Sequence, residues 1–408
     1  MPENAYPGTA VLNAGALIRN FRKLKSLTDA IPLAIVKADA YGHGAPQVVR
    51  HLLAEATWFG IAQVSEALDL LSALGDEMRL PEPAALGADD VSPTDGPRLL
   101  TWIASPGNVD VRAEAIRAGV DVTVSNLDEL TEVVRAATQT GLRARVHMKV
   151  DVGNSRAGCS QTEWPEFFEA GARQERAGNV TVVGIWSHLQ SADDPRADDE
   201  TDQHVRLFEM ALKVAAAAGV NPQLRHLAAT SGGLWHPQSR FDMVRWGIGI
   251  YGMSPNPARE TAEDLGLEPV MTLRAPLMSI KRIPAGQGVS YNATWSSPHD
   301  TYVGLVPLGY GDGIPRAVSN RGYVTVNGQV AQVRAPRRGR VCMDQFVVEL
   351  GHETNLRRCD DVEVFGSNPP VDLFAQWADT INYEVVTRLG PRVPRVWTED
   401  GYNGKDER

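Results

Sequence analysis

Residues 31–44 read Ile-Pro-Leu-Ala-Ile-Val-Lys-Ala-Asp-Ala-Tyr-Gly-His-Gly, a short apolar run that ends on Lys37 and gives way to a loop containing glycine. A helix-like stretch begins directly after this loop, at Ala45. The same unit, a short apolar run followed by an amphipathic stretch, recurs up to residue 250. Apolar strands that alternate with amphipathic helices indicate a parallel sheet covered by helices.

The repeated unit occurs often enough to close a barrel. Eight β/α units in about 250 residues are what a β/α barrel requires, so we predict an α/β fold with an N-terminal (β/α)8 barrel. A doubly wound open sheet is the alternative, because periodicity does not fix the number of strands. The predicted strands are Leu33–Val36, Thr57–Ile61, Leu99–Ile103, Val122–Val124, Ala144–Val150, Thr181–Trp186, Leu224–Leu227 and Trp246–Ile250. The predicted helices include Ala45–Ala54, Ser65–Leu74, Val109–Ala118, Leu127–Ala137 and Gln203–Ala218.

The rest of the chain has a different pattern. From Met271 onward, strand-like runs are separated by turn signals, among them the strong hairpin signal Asn327-Gly328. We therefore predict a C-terminal, mostly antiparallel β domain. Small, polar and proline residues interrupt the apolar pattern before it, which predicts a barrel domain at residues 1–262 and a β domain at residues 263–408. The predicted strands are Leu277–Ile283, Tyr302–Pro307, Tyr323–Val326, Val330–Val333, Val341–Leu350 and Asp361–Phe365.

Composition restricts the class of protein and its partners. The 408 residues include 40 Lys plus Arg and 50 Asp plus Glu, for a net charge of −10. This charge argues against nucleic acid or an anionic membrane surface as the main partner. No run approaches the roughly 18 apolar residues of a membrane span, and no secretory signal is visible. Three cysteines, Cys159, Cys342 and Cys359, fit a reducing compartment. We therefore expect a cytoplasmic protein without a metal site, nucleic acid or membrane partner.

Lys37 is the first residue whose position suggests chemistry. The C-terminal ends of barrel strands face the active site, and a strand that ends on lysine places an amine there. Partial burial lowers the pKa of an amine and makes it able to form a Schiff base. Position alone also fits a lysine that simply extends into solvent from a strand end.

The sequence around Lys37 resembles the pyridoxal-phosphate signature of alanine racemases, and the resemblance continues in the family's order over nearly the whole chain. A single segment of this kind would be weak evidence for the family, whereas eight segments in the family's order make a chance resemblance a poor explanation. The segments are Val36-Lys37-Ala-Asp-Ala-Tyr41-Gly-His-Gly, His147-Met-Lys149-Val-Asp151-Val-Gly153-Asn-Ser-Arg156-Ala-Gly158, Trp186-Ser-His188, Arg245-Trp-Gly247-Ile248-Gly-Ile-Tyr251-Gly, Val289-Ser-Tyr291, Gly309-Tyr310-Gly-Asp-Gly313, Gly339-Arg-Val-Cys342-Met343-Asp344-Gln and Ile381-Asn-Tyr383-Glu384.

The resemblance implies a barrel followed by a β domain, in agreement with the pattern above, and pyridoxal 5'-phosphate as the cofactor. Lys37 would carry the cofactor as a Schiff base. The implied phosphate donors are the side chains of Tyr41, Thr230 and Tyr383 and the amides of Gly247 and Ile248. The family usually has Asn-Ser where this chain has Ala229-Thr230, so the hydroxyl is kept while the role of the Asn is in doubt. Ser231 is an alternative donor.

The resemblance also places Arg245 opposite the ring nitrogen of the cofactor. Arginine stays protonated and can only donate, so the pyridine should stay neutral and withdraw electrons less strongly. Racemisation needs a base on each face of the α-carbon, and the match assigns these roles to Lys37 and Tyr291. His188, beside the cofactor, and Arg245 would lower the pKa of Tyr291. In the family this tyrosine reaches the site of the other subunit, which implies a homodimer with shared active sites.

The remaining residues of the match concern the substrate. Arg156 suits a carboxylate or the cofactor's phenolate oxygen, and the amide of Met343 would be a second carboxylate donor. Lys149 matches a lysine that is carbamylated in many family members, where it holds the arginine in place. Tyr310, with Met343, Asp344 and Tyr383, would narrow the mouth of the site to a methyl side chain.

The sequence therefore predicts an isomerase that interconverts L-alanine and D-alanine and supplies D-alanine for peptidoglycan. A related racemase for serine or for a larger or basic amino acid is an alternative. A non-catalytic pyridoxal-phosphate carrier is another, although it would need neither Tyr291 nor Met343. A decarboxylase of the same fold is disfavoured, because it would want an acidic partner for the ring nitrogen in place of Arg245.

Overall fold

The structure is a computed structural model that describes residues 7–88, 96–328 and 332–399. Its strands are β1 (Thr9–Asn13), β2 (Ile31–Ile35), β3 (Trp58–Gln63), β4 (Arg98–Ile103), β5 (Asp121–Val124), β6 (Ala144–Lys149), β7 (Val180–Trp186), β8 (Leu224–His226), β9 (Met243–Trp246), β10 (Met271–Pro276), β11 (Ser279–Ile283), β12 (Gly288–Val289), β13 (Trp295–Ser296), β14 (Thr301–Val306), β15 (Tyr323–Asn327), β16 (Gln332–Arg338), β17 (Phe346–Gly351), β18 (Asp361–Phe365) and β19 (Arg395–Thr398). Its right-handed helices are Ala14–Lys25, Ala45–Leu52, Val64–Leu74, Val109–Arg117, Leu127–Thr140, Trp164–Arg176, Asp198–Ala217, Thr230–Trp235, Val371–Trp377 and Asn382–Thr387. No helix in these ranges is both long and apolar enough to cross a membrane.

Strands β2 to β9 form the predicted barrel. They pair in parallel in the order β8-β7-β6-β5-β4-β3-β2-β9, and helices lie between most of them. A parallel bridge between Ala229 and Arg245 continues the pairing from the end of β8 to β9. Strands β5 and β7 are buried over their whole length, as expected when helices cover one face and the barrel interior the other. The barrel prediction is confirmed, and the open-sheet alternative is wrong.

The last barrel strand ends earlier than the sequence pattern predicts. The apolar run Trp246–Ile250 is not a strand: β9 ends at Trp246, and a 3-10 turn, Ile248–Tyr251, follows. Gly247 has φ −112° and ψ −102°, which turns the chain out of the sheet. The run is apolar because the turn is buried and packs against the helix Ala14–Lys25, rather than because it continues the strand.

The C-terminal part forms a mostly antiparallel sheet of nine strands in the order β11-β14-β17-β16-β15-β18-β10-β1-β19. Strands β15 and β16 pair from Tyr323 with Pro336 to Asn327 with Gln332, as the Asn327-Gly328 signal predicts, and part of the turn lies outside the described residues. The predicted strand Val341–Leu350 begins only at Phe346, because Cys342 donates its amide to Gln345 O in a turn.

The N-terminal strand also belongs to this sheet. β1 precedes the barrel in the chain, yet it pairs with β10 and with β19. The chain therefore starts in the antiparallel sheet, passes through the barrel and returns. The boundary between residues 262 and 263 stays a prediction.

Candidate active site

A cavity of about 340 Å³ opens at the C-terminal end of the barrel strands. This is the end of a β/α barrel at which active sites form, and the volume suits a small ligand. Eleven of the fifteen residues to which the sequence analysis gives a site role line it: Lys37, Tyr41, Lys149, Arg156, His188, Thr230, Ser231, Arg245, Gly247, Ile248 and Tyr383. Side chains without a predicted role, including Trp102, Trp186 and Asp193, complete the wall.

Lys37 stands where β2 leaves the barrel. Its Nζ lies 5.9 Å from the ring centre of Tyr41 and 5.9 Å from that of Trp102. Burial lowers the pKa of Lys37, and the positive charges of Arg156 and Arg245 lower it further. A larger share of this amine is therefore neutral than in an exposed lysine, which is the form that attacks a carbonyl carbon.

The segment after Lys37 has a conformation that the sequence did not predict. Residues 38–41 all have positive φ, between 52° and 55°, so the turn Lys37–Gly42 is left-handed. Such a conformation costs an L-residue about 1–2 kcal/mol. Surrounding groups hold it: Glu66 accepts from the amide of Ala38 at 2.8 Å, and Asp39 accepts from the amide of Ala45 at 2.7 Å. The turn fixes the direction in which Lys37 leaves the strand.

Arg245 lies at the base of the cavity and is buried. Its Nη2 donates to Ser187 O at 2.9 Å, to Leu227 O at 3.0 Å and to His188 Nδ1 at 3.2 Å. Burial lowers the pKa of Arg245 to about 9, which leaves the guanidinium charged at neutral pH. Burial and the charge of Arg245 lower the pKa of His188 well below its ordinary value, so this imidazole is neutral and can accept.

The cavity carries an excess of positive charge. Lys37, Lys149, Arg156 and Arg245 line it, and Asp193 is the one carboxylate among the described lining residues. Lys149 Nζ lies 4.3 Å from the ring centre of Trp186. Burial, followed by the charges of Arg245 and Arg156, lowers the pKa of Lys149 to about 8. Such a set of donors fits a ligand with several negative charges.

A second group of residues forms a corner of the cavity in which an anion can bind without steric obstruction. The amide of Gly247 donates to Thr230 Oγ1 at 3.0 Å, which leaves the hydroxyl hydrogen of Thr230 to donate elsewhere. A Cβ at Gly247 would lie 2.7 Å from Tyr41 Oη, so only glycine leaves this corner open. Burial raises the pKa of Tyr41 and of Tyr383, and both therefore stay protonated donors. A phosphate group fits here, and the residues present fit pyridoxal phosphate as a whole.

Four predicted site residues, Tyr291, Tyr310, Met343 and Asp344, do not line this cavity in the described chain. Tyr291, Met343 and Tyr310 belong to the β domain, and their exposed fractions are 71%, 54% and 43%. Neighbouring Asp344 is held by Arg392, whose Nη2 donates to it at 2.8 Å. One chain thus brings the barrel residues and Tyr383 of the β domain to the cavity, and it leaves Tyr291, Met343 and Tyr310 on its surface.

The sequence reasoning gave no role to several residues that the structure brings to the site. The indole of Trp186 packs against Arg245 at 4.9 Å and stacks on His226 at 5.4 Å. Trp186 and His147 both lie in segments that resemble the family, and this position is the sequence signal that could have identified them. His226 carried no such signal. No group of three or more metal-binding side chains occurs in the described ranges.

Comparison with known proteins gives this cavity a context. A family model described as the N-terminal domain of alanine racemase matches residues 12–255, and one for the C-terminal domain matches residues 270–397. An alanine racemase of Beutenbergia cavernae is 44% identical over 397 residues, which are 96% of this chain and 98% of that protein. An alanine racemase of Thermobifida fusca is 42% identical over 371 residues, which are 90% of this chain and 91% of that protein.

Solved structures agree with these matches. The alanine racemase of Streptomyces coelicolor A3(2) superposes with a TM-score of 0.87 at 38% identity, over 96% of this chain and 98% of that one. The alanine racemase of a D-cycloserine producing Streptomyces lavendulae gives a TM-score of 0.86 at 37% identity, over 98% of this chain and 99% of that one.

Proposed function

The chain belongs to the alanine racemase family and interconverts L-alanine and D-alanine, and we propose that it does so with pyridoxal 5'-phosphate carried on Lys37. The observation that carries the proposal is the position of Lys37 and Arg245 in one positively charged cavity. A partly neutral amine, a charged guanidinium and an unobstructed corner for an anion match the carbonyl, the ring and the phosphate of this cofactor.

The barrel, together with Tyr383 of the β domain, would hold the two ends of the cofactor. Its phosphate would be bound by the hydroxyls of Tyr41, Thr230 and Tyr383 and by the amide of Ile248. The amide of Gly247, which donates to Thr230 Oγ1, would orient that hydroxyl toward the phosphate. When bound, pyridoxal phosphate withdraws electrons from the α-carbon of the amino acid and so acidifies the proton on it. Arg245 can only donate hydrogen bonds, so it would face the ring nitrogen as a donor and leave that nitrogen without a proton. The electron withdrawal would then stay moderate, which favours simple return of the proton over transamination.

Two groups move that proton. Lys37 Nζ would take up or give back the proton on one face of the α-carbon, and Tyr291 Oη would do so on the other. In one chain Tyr291 is exposed on the β domain, so we assign it to the cavity of a second copy. The active form is then a homodimer in which each of two sites uses both chains.

The substrate carboxylate is bound by Arg156 and by the amide of Met343, and Tyr310 limits the space beside the methyl group. Lys149, whose pKa is lowered to about 8, has enough neutral amine to take up carbon dioxide. The resulting carbamate would carry a negative charge next to Arg156 and Arg245 and would hold Arg156 in place. The product D-alanine would serve peptidoglycan synthesis, and the free thiols of Cys342 and Cys359 support a cytoplasmic location.

An assay on a panel of single-enantiomer amino acids, with the visible spectrum recorded, tests the proposal. We expect alanine to be the preferred substrate, with an absorption band that disappears on dialysis against hydroxylamine. Preference for serine or a basic amino acid would assign the other racemase function. A coloured protein that racemises none of them would support the carrier function instead.

A further inference from the structure

A row of buried polar side chains crosses the interior of the barrel from Arg245 to its opposite end. Arg245 Nη1 lies 3.2 Å from His226 Nδ1, and His226 Nε2 lies 2.9 Å from His147 Nδ1. His147 Nε2 lies 3.3 Å from Asp121 Oδ2, and Arg145 Nε donates to Asp121 Oδ1 at 2.9 Å. His226, His147 and Asp121 are completely buried.

The position of this row is unusual for a barrel. Asp121 is the first residue of β5 and Arg98, 3.9 Å from it, is the first residue of β4, so both lie at the end remote from the cavity. Bulky aliphatic side chains normally fill a barrel interior. Buried polar groups are costly unless each finds its partner, so a connected row of them calls for a role.

Chemistry fixes the direction of every hydrogen bond in the row. Arg245 can only donate, so His226 Nδ1 must accept and the proton of this imidazole lies on Nε2. His226 Nε2 then donates to His147 Nδ1, and His147 Nε2 donates to Asp121. Burial lowers the pKa of both histidines, so each carries a single proton. Asp121 stays ionised because Arg145 and His147 outweigh the effect of burial on its pKa.

We propose that Asp121 is a positioning residue for Arg245: through His147 and His226 it sets the tautomer that lets Nη1 of Arg245 donate toward the barrel interior. This deepens the proposed function, because it rests on Arg245 facing the ring nitrogen of the cofactor. If the two imidazoles carried the opposite tautomers, His226 would present an N–H to Nη1, and two donors would face each other. The guanidinium would then lose this hydrogen bond and its fixed orientation.

The substitution Asp121→Asn tests the direction of the row. The guanidiniums of Arg98 and Arg145 only donate, so they should draw the amide oxygen and turn the NH2 toward His147. His147 would then accept at Nε2 and donate from Nδ1, and His226 would carry its proton on Nδ1, against Arg245. Outer-shell partners that orient a metal-bound histidine are worth about 10- to 100-fold in activity, and we expect a loss of that order in racemase activity for Asp121→Asn.

The decisive readout is 15N NMR of histidine-labelled protein without cofactor, assigned with His226→Gln and His147→Gln. In the wild type, Nδ1 of His226 should be the pyridine-like nitrogen, and in Asp121→Asn it should become the pyrrole-like one. Glu132→Gln is the matched control, because Glu132 pairs with Arg112 at 2.7 Å outside this row. It should leave both the His226 spectrum and the racemase activity unchanged. An unchanged His226 spectrum in Asp121→Asn overturns the proposal.

A second pair of variants keeps the test decisive if Asp121→Asn does not fold. The amide of His147→Gln can donate to Asp121 and accept from His226, so the spectrum of His226 should keep its wild-type pattern. His147→Leu breaks the connection, and the nitrogens of His226 should show exchange between tautomers. Equal spectra in these two variants would overturn the proposal. Since no cofactor is present, the result is independent of whether Arg245 acts in racemisation.

Discussion

The barrel side and the β-domain side of the active site differ in how complete they are within one chain. Lys37, Lys149 and Arg245 lie in a cavity where burial lowers their pKa values, and Arg245 donates to several hydrogen-bond acceptors. Tyr291, in contrast, has 71% of its surface exposed. Under the proposed function, the cofactor would be bound within a single chain, whereas two-sided proton transfer would require a second one.

The largest effect is expected on the barrel side, from Lys37→Ala. This change removes both the attachment point of the cofactor and one of the two bases, so racemisation should fall by more than about 10⁴-fold. Borohydride reduction of the wild type should fix the cofactor to a peptide that contains Lys37. The exposed Lys213→Ala serves as control and should keep the label and the activity. A label on any other lysine would contradict the assignment.

On the β-domain side, Tyr291→Phe should remove one proton-transfer group and leave cofactor binding nearly intact. General acid–base catalysis is typically worth about 10²–10⁴-fold, and a loss of that order is expected in both directions. The rates from L-alanine to D-alanine and back should both fall, because each enantiomer needs one group as base and the other as acid. Tyr302→Phe, elsewhere in the β domain, should keep its activity. A loss in one direction only would break the assignment of Tyr291 to one face.

Mixing the two inactive variants sharpens the comparison between one chain and two. A dimer of one Tyr291→Phe chain and one Lys37→Ala chain has one site with both wild-type residues and one with neither. Random pairing puts half of the dimers in this state, so about a quarter of the wild-type activity should return. If subunits exchange, as a tagged chain would reveal, and no activity returns, Tyr291 does not act across an interface.

A smaller effect is expected from Arg245→Glu, which keeps both bases. A carboxylic acid at this position would protonate the ring nitrogen and strengthen electron withdrawal. Racemisation should fall by about 100-fold, the scale of losing one preorganised charged donor, and transamination should become detectable. The racemisation rate of Arg245→Lys, which keeps a donor and a positive charge, should lie between the rates of the wild type and of Arg245→Glu. A wild-type racemisation rate in Arg245→Glu would exclude the neutral-pyridine argument.

The sequence predicted the parts of the fold that depend on local pattern. Apolar strands between amphipathic helices gave the barrel, and the Asn327-Gly328 signal gave the pairing of β15 with β16. The position of β1 was missed, because its partners β10 and β19 lie hundreds of residues away. The left-handed turn after Lys37 was missed for a similar reason: distant Glu66 and Arg395 hold it, through the amide of Ala38 and the carbonyl of Gly42.

For the site, matched motifs located most of the residues that line the cavity. That Tyr291 acts in the site of another subunit was implied by the family resemblance alone. Exposure of Tyr291 is a property of the folded surface, and no spacing in the sequence encodes it. His226 could not be predicted from the sequence, since a single histidine at the end of β8 belongs to no recognisable pattern. Its significance comes only from the bonds to Arg245 and His147.

The smallest expected effect concerns the stability of the barrel side at low pH. His43 is buried under the left-handed turn, where its Nδ1 lies 3.0 Å from the carbonyl oxygens of Ala40 and Tyr41. Burial lowers the pKa of His43 to about 4, from an ordinary value of 6.5. Above pH 6.5 the imidazole is neutral in both folded and unfolded chains, so it contributes no pH dependence there.

Between pH 6.5 and about 4 the unfolded chain binds a proton at His43 that the folded chain does not, so the free energy of unfolding falls as the pH falls. One group contributes at most about 1.4 kcal/mol per pH unit. In His43→Gln the amide can still donate to a turn carbonyl but does not titrate, so urea unfolding should show a slope shallower by about that amount. In His51→Gln the change should be smaller, since His51 is only half-buried and the charge of Glu399 opposes the lowering of its pKa by burial. Equal slopes in His43→Gln and the wild type would mean that the folded barrel accommodates the protonated imidazole. The left-handed turn after Lys37 would then be more open to water than the burial of His43 indicates.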